Sequence, residues 1–179
     1  MNKLIILFSL LLLTSSCKQK PTPPTNIMNE DSMKVHLENA NQILVHKESG
    51  MIDEFVKRHA FAVERTGTGL RIGIYKHGKG KNSPIIHDEV FIACRVFLLD
   101  GTLCYEADSL KPFHFKIGEG RSSNGLEEGL MKMVEGDKAH LVVPMHLGYG
   151  LSGDGEKIPP AAALYYDVEL LKVNIPFQN

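Results

Sequence analysis

Residues 125–173 near the C-terminus, which read GLEEGLMKMVEGDKAHLVVPMHLGYGLSGDGEKIPPAAALYYDVELLKV, decide the fold. The stretch opens with a short helical pattern over Leu126–Val134, which has acidic residues in its first turn and is stopped by Gly136. It closes with an alternating strand pattern over Leu164–Val173. Just before that strand, Pro159-Pro160 fix φ and cannot donate to a β-ladder, so they predict a rigid connection.

Most of the chain upstream of this helix also has the pattern of strands. Asp100-Gly101 between two of them is a strong hairpin signal. One short helix among several strands predicts an α+β domain over residues 70–175. The other predicted strands are Leu70–Tyr75, Val90–Leu99, Leu103–Tyr105, Phe113–Ile117 and Ala139–Val143.

The N-terminus has the features of a targeting segment. Lys3 precedes an apolar run over Leu4–Leu13, which is shorter than the roughly 20 residues that span a bilayer. Small residues then precede Cys17, an arrangement that resembles a bacterial lipobox with Thr14 in place of the usual leucine. The alternative is a secretory peptide with an incidental cysteine. We expect residues 1–17 to be a lipoprotein signal peptide whose Cys17 is acylated, which would hold the protein on a membrane.

Two segments separate this signal from the domain. Residues 18–28 contain three prolines and polar residues, which predict an extended tether. Residues 29–66 are predicted to be helical, because Met33, Leu37 and Leu44 fall on one apolar stripe. Ser49-Gly50 predicts a break followed by a second helix. The stripe either docks on the globular domain or pairs weakly with another copy of the chain.

Charge and motifs exclude several classes of function. The chain has 20 basic and 21 acidic residues and no basic stretch, so nucleic acid is not an expected partner. Its eight histidines show no metal-ligand spacing, and we expect neither a metal site nor a cofactor. No nucleophile elbow or catalytic triad can be argued from the sequence.

The C-terminal motifs occur in an order that resembles FKBP-type peptidyl-prolyl isomerases over about Asp88–Val173. Upstream, the sequences DGT and KPFHFKIGEG fit that family's hairpin and following strand. With the lipobox, tether and helical segment, the chain further resembles membrane-anchored FKBP-type proteins of Bacteroidetes, with the gliding-motility-associated lipoprotein as the nearest subgroup. The matching motifs are G-x-E-x-G at Gly125–Gly129, M-x-x-G-D-K at Met133–Lys138, Y-G at Tyr149-Gly150, I-P-P at Ile158–Pro160 and L-x-x-D-V-E-L-L at Leu164–Leu171.

This resemblance implies a half-open antiparallel sheet curled around the single helix, with a ligand pocket between them. By the resemblance, the wall residues that act in catalysis would be Phe113, Tyr149, Ile158 and Tyr166. The hydroxyl of Tyr149 would bond the substrate carbonyl. Positions implied to bind substrate are Leu126 on the floor, Ser123 through its backbone N–H, Ser122 on the rim, and Cys94, Cys104 and Tyr105 on the strands.

The implied activity is peptidyl-prolyl cis-trans isomerisation in exported proteins of the cell envelope, on the periplasmic side. An apolar pocket would favour the twisted amide over the planar one, with no nucleophile or metal. Cys94, Cys104 and Leu126 replace aromatic residues common in the family, so we expect reduced activity and weak binding of macrolides. The alternative is a module that binds a proline loop without useful turnover.

The two cysteines of the domain raise the question of a disulfide, because the export route leads to an oxidising compartment. A two-residue hairpin at Asp100-Gly101 sets Cys104 opposite Phe97 and Cys94 opposite Ala107, which puts the two thiols on opposite sheet faces. The family pattern instead places both cysteines at the pocket, which requires a bulge. Under the regular pairing a bridge cannot form, so free thiols are the expectation.

Overall fold

The computed structural model describes residues 30–174, so the signal peptide, Cys17 and the tether lie outside the described residues. The helices are α1 (Glu30–Arg58) and α2 (Asn124–Leu130), with a short 3-10 turn at Met145–Leu147. The strands are β1 (Glu64–Arg65), β2 (Arg71–Lys76), β3 (Glu89–Leu98), β4 (Leu103–Ala107), β5 (Phe113–Lys116), β6 (Lys138–Val143) and β7 (Leu164–Asn174).

All seven strands form one antiparallel sheet. Its order is β1-β2-β6-β7-β3-β4, and β5 pairs with the first half of β3 on the same side as β4. Strand β7 lies between β3 and β6, and its register with β3 runs from Leu164 opposite Leu98 to Asn174 opposite Glu89. One sheet with a single short helix beside it confirms the predicted α+β class, and a longer helix precedes it as expected.

The main core lies between α2 and one face of the sheet, the concave face. Side chains along β7 alternate between buried and half-buried, as expected for a strand with one face toward the core. On α2, the inward residues Leu126 and Leu130 are at most 3% exposed. The core residues contributed by β3 and β7 are Val90, Ile92, Cys94, Val96, Leu164, Tyr166, Val168 and Leu170.

Two glycines let α2 approach strand β6 closely. A Cβ at Gly125 would lie 2.4 Å from the Cγ1 atom of Val143, and one at Gly129 would lie 2.6 Å from the Cδ1 atom of Leu141. Both distances are below van der Waals contact, so a larger residue at either position would force the facing side chain or the helix to shift. The G-x-E-x-G motif therefore sets the distance between helix and sheet.

Helix α1 is continuous through Ser49-Gly50, so the predicted break there is wrong. Gly50 costs about 1 kcal/mol relative to alanine in a helix, but neighbouring residues of the same turns are bonded to the domain. Arg71 donates to Ser49 Oγ at 2.7 Å and to Asp53 Oδ1 at 2.7 Å, and Glu48 accepts the N–H of Met145 at 2.6 Å. These tertiary bonds outweigh the local preference for a break.

Helix α1 packs on the other, convex face of the sheet through two buried residues and the partly buried Val56. Ile52 and Phe55 form a second apolar cluster with Val142, against which Phe61 and Tyr165 also pack. The apolar docking contacts therefore come from the part of the helix that follows the predicted break.

The contacts divide the chain into two units, Met1–Asn39 and Ala40–Asn179. In the first unit the described residues 30–39 are helical, and Met33 and Leu37 are exposed. In the second unit Leu44, the last residue of the predicted stripe, is also exposed.

The described helices include none that combines the length and the apolar character needed to cross a membrane.

The role of α1 in the core can be tested with two isoleucines of the same helix. Ile52 is 0% exposed and Ile43 is 68% exposed. We expect Ile52→Ala to lower the free energy of unfolding by about 3 kcal/mol, because it leaves a cavity against Val142, and Ile43→Ala to change it by less than about 0.5 kcal/mol. Urea denaturation of both variants measures the difference. Equal effects of the two substitutions would contradict the packing described for α1.

Candidate functional site

An open cavity of about 430 Å³ lies on the concave face, between the sheet, α2 and the loop that precedes β7. Strands β3 and β4 form one side, β7 and the start of α2 form the floor, and the loop closes another side. Its lining residues are Cys94, Val96, Tyr105, Glu106, Ala107, Phe113, Ser122, Leu126, Tyr149, Asp154, Glu156 and Tyr166.

The structure brings together the residues that the sequence predicts for a site. Seven of the ten predicted wall and binding residues line the cavity, namely Cys94, Tyr105, Phe113, Ser122, Leu126, Tyr149 and Tyr166. The other three, Ser123, Ile158 and Cys104, are buried and are not among the lining residues. Sequence reasoning missed Val96, Glu106, Ala107, Asp154 and Glu156, because the predictions followed the family's aromatic positions and gave the loop only Ile158.

The lining residues lie at different depths in the cavity. Phe113 and Tyr149 are 39% and 37% exposed and stand at the mouth, whereas Leu126 and Tyr166 are at most 3% exposed and form the floor. Phe115 supports Phe113 from below, with the two ring centroids 5.1 Å apart. A ligand entering the cavity would pass two aromatic rings before it reached the floor.

Ser123 ties the helix to the floor of the cavity. It is the N-cap of α2, and its Oγ accepts the N–H of Leu126 at 3.3 Å. The same oxygen lies 3.1 Å from the hydroxyl of Tyr166 on β7. The side chain of Ser123 therefore fixes the start of α2 relative to the sheet, a role beyond the backbone contact expected from the sequence.

The loop that carries Ile158 is fixed by Asp154. Its carboxylate accepts the N–H groups of Glu156 at 2.9 Å and Ile158 at 2.8 Å, and it also accepts the hydroxyl of Tyr105 on β4. Desolvation acts to raise the pKa of Asp154, but these hydrogen bonds outweigh it and the pKa lies below its usual value. The bond to Asp154 is the main cause that raises the pKa of Tyr105 to about 12. Tyr105 and Asp154 thus join the loop to the sheet.

A bulge in the β3–β4 hairpin places both cysteines in the core. Cys94 lies opposite Ala107 as predicted, but Phe97 pairs with Leu103, so Cys104 has no partner on β3. The expectation from regular pairing, with the thiols on opposite faces, is wrong, and the bulged alternative is the one observed. Both thiols are buried and free, and burial raises the pKa of Cys94 to about 11.

The arrangement suits a neutral polar ligand. Burial raises the pKa of Tyr149, so its phenol stays protonated at neutral pH and can donate a hydrogen bond. Residues 30–174 contain no group of three or more histidine, cysteine, aspartate or glutamate side chains that could hold a metal ion. The rings and aliphatic side chains of its lining can surround an apolar group, and the Tyr149 hydroxyl can donate to a carbonyl beside it.

The known proteins that this chain resembles belong to one family. The model of the FKBP-type peptidyl-prolyl cis-trans isomerase domain matches residues 80–171. The chain is 38% identical over 104 residues to FK506-binding protein 1 of Dictyostelium discoideum, a match that covers 58% of this chain and 96% of that protein. It is 48% identical over 63 residues to human peptidyl-prolyl cis-trans isomerase FKBP2, which covers 35% of this chain and 44% of that protein.

Two further similarities extend beyond the domain. The probable FKBP-type isomerase FkpA of Neisseria meningitidis is 35% identical over 137 residues, covering 73% of this chain but only 47% of that protein. The crystal structure of FkpA from Escherichia coli superposes with a TM-score of 0.64 at 30% identity, covering 80% of this chain and 65% of that chain. The chain thus spans nearly all of one relative and less than half of others.

The thiols provide a test of the bulge and the core around it. With Cys17 replaced by serine, we expect Cys94 to react with a disulfide reagent at pH 8 about 100-fold more slowly than a free thiol, because burial limits access and a pKa near 11 reduces its thiolate. Cys104 should be protected as well, and both should react at once in denaturant. A mass increase of two hydrogens on addition of reductant would reveal a disulfide and contradict the structure.

Proposed function

The chain belongs to the FKBP-type peptidyl-prolyl cis-trans isomerase family, and from this premise we propose that its cavity accelerates the isomerisation of X–Pro bonds in exported proteins. The observation that carries the proposal is the lining of a single open cavity by Phe113, Leu126, Tyr149 and Tyr166. Ile158, the fourth predicted wall residue, does not line the cavity. It is buried in the core, and Asp154 accepts its backbone N–H.

The chemistry follows from the amide bond. Rotation about its C–N bond has a barrier of about 18–20 kcal/mol, because resonance must be broken. The planar amide is more polar than the twisted one, so apolar walls disfavour the ground state more than the transition state. In this proposal the proline ring rests on Leu126 and Tyr166, and Tyr149 donates to the carbonyl that precedes the proline. No group needs to attack the substrate.

A second candidate function is a binding module for proline loops. It is supported by Cys94 and Leu126, which line the cavity where aromatic residues are common in the family. Less aromatic area lowers affinity for the twisted amide, and a domain of this kind would bind a partner's loop with little turnover. The two functions differ in whether the domain accelerates isomerisation of the X–Pro bond, and both place the proline segment in the same cavity.

The proposed isomerase activity can be measured with a tetrapeptide whose cis Leu-Pro form is protected from protease. We expect acceleration by the wild type, a fall in kcat/KM of about fivefold for Tyr149→Phe, which loses one hydrogen bond, and a similar fall for Phe113→Ala. Phe91→Ala is the control, because Phe91 stacks on His114 and is not among the lining residues.

Binding of the peptide without acceleration would favour the binding module. Acceleration that is unchanged in both cavity variants would place the activity elsewhere.

We also propose that the protein is a lipoprotein of the bacterial cell envelope, anchored through Cys17 and facing the periplasm. The support is the pattern of residues 1–17 and the proline-rich residues 18–28, which would keep the domain clear of the lipid surface. The resemblance of this organisation to gliding-motility-associated lipoproteins supports a place beside the motility apparatus, where exported proteins would be its substrates.

Weak self-association through residues 29–66 is a further proposal, supported by the exposed apolar residues Met33, Leu37 and Leu44. Deletion of the whole segment would not test it cleanly, because Ile52 and Phe55 belong to the core. Charged substitutions at Leu37 and Leu44, followed by measurement of mass in solution, leave the core intact.

The lipid anchor can be tested in cells of a bacterium that processes lipoproteins. We expect the wild-type chain to incorporate labelled palmitate and to sediment with membranes, because thioether-linked diacylglycerol would anchor Cys17. Cys17→Ser should lose both properties, whereas Cys104→Ser serves as the control with the anchor retained. Palmitate on the Cys17→Ser chain, or a soluble wild type without label, would contradict the proposal.

A further inference from the structure

The turn that precedes Tyr149 begins with a backbone N–H that the turn cannot bond by itself. It is the 3-10 turn Met145–Leu147, and its N-cap is Pro144. The first N–H groups of a helical turn have no partner within it, and an N-cap side chain usually accepts one of them. The side chain of Pro144 has no acceptor and makes no such bond. The N–H of Met145 therefore needs an acceptor from another part of the chain.

Glu48 of helix α1 supplies that acceptor. Its Oε1 atom lies 2.6 Å from the nitrogen of Met145, although the two residues are 97 positions apart in the sequence. A hydrogen bond from a backbone N–H to a carboxylate is about twice as strong as one between neutral groups. Glu48 is half-buried, which strengthens the bond further because fewer water molecules compete for it. Helix α1 thus caps the turn that leads to Tyr149.

A second contact, made by Thr68, holds the same turn. The ring Nε2 of His146 donates to the carbonyl oxygen of Thr68 at 2.9 Å. The hydroxyl of Thr68 in turn donates to Glu128 on α2 at 2.7 Å. Glu48 and Thr68 both precede residues 80–171, the part of the chain that matches the family model. The turn is therefore held from outside the matched domain.

The turn transmits this restraint to Tyr149 through its own backbone bonds. The carbonyl oxygen of Met145 accepts the N–H of Gly148 at 3.0 Å and the N–H of Gly150 at 2.9 Å. Gly148 and Gly150 are the two neighbours of Tyr149 in the chain. The backbone on both sides of Tyr149 is thus bonded to the residue whose N–H Glu48 accepts.

We propose that Glu48 is a positioning residue that fixes Tyr149 at the mouth of the cavity. This inference rests on the proposed function, in which the Tyr149 hydroxyl donates to the substrate carbonyl. The side chain of Tyr149 is 37% exposed, so packing restrains it only in part and its backbone must supply the rest. A backbone that is already ordered loses less freedom when the substrate binds, and it keeps the hydroxyl at the distance that the bond to the carbonyl needs.

A double-mutant cycle on the full chain tests this role. Glu48→Ala removes the acceptor and leaves a good helix former in α1, and Tyr149→Phe removes the hydroxyl. We expect Glu48→Ala to lower kcat/KM for a Leu-Pro tetrapeptide about threefold when Tyr149 is present and less than about 1.5-fold in the Tyr149→Phe background. Binding of the same peptide is titrated calorimetrically for all four proteins, so that coupling can be measured without turnover.

Three further variants separate positioning from folding. Glu48→Gln keeps an oxygen acceptor at the same reach, so its kcat/KM should stay closer to that of the wild type. Glu48→Asp keeps the charge on a shorter side chain, should show the loss of Glu48→Ala, and replaces it in the cycle if the alanine variant does not fold. Glu54→Ala is the matched control, because it removes an exposed carboxylate of the same helix, and its kcat/KM should equal that of the wild type. Urea unfolding of every variant measures any loss of folded protein.

The outcomes distinguish this inference from the proposed function. Equal factors for Glu48→Ala in the two backgrounds, or a Glu48→Gln variant as impaired as Glu48→Ala, would overturn the positioning role while leaving the isomerase proposal in place. Absence of acceleration by the wild type would overturn the isomerase proposal. In that case, coupling between Glu48 and Tyr149 in peptide binding would still support the positioning role, and additivity would overturn it.

Discussion

The close approach of helix α2 to strand β6 is the constraint on which the rest of the site depends. Gly125 and Gly129 have no side chain to hold the helix away from Val143 and Leu141, so the helix lies directly on the concave face. At that distance Ser123 can bond Leu126 within the helix and Tyr166 on β7 at the same time.

The remaining parts of the domain hold the other sides of the cavity in place. Tyr105 and Asp154 join the loop to β4, so that Ile158 stays against the core. On the convex face, Ile52 and Phe55 of α1 cover Val142, which makes the second half of that helix part of the same folded unit. A cavity with fixed walls suits a reaction in which the enzyme discriminates between two shapes of one amide, because walls that yielded would bind both shapes equally well.

The sequence predicted the sheet, the short helix and most of the cavity, and each failure has a specific physical cause. Strand patterns and the Asp100-Gly101 turn are determined by near neighbours, which is why those elements lie within two residues of their predicted bounds. The break at Ser49-Gly50 was wrong because bonds from Arg71, which is distant in sequence, hold the helix together there. The bulge that turns Cys104 inward depends on pairing across the hairpin.

In the proposed complex, the cavity holds a prolyl residue against Leu126 and Tyr166, with the preceding carbonyl at Tyr149. Nuclear Overhauser contacts between a bound proline-containing peptide and methyl-labelled protein measure this directly. We expect contacts from the proline ring protons to the Leu126 methyl groups, which line the cavity, with none to Ile43 on the exposed face of α1. Proline contacts to α1 in the absence of any to Leu126 would contradict it.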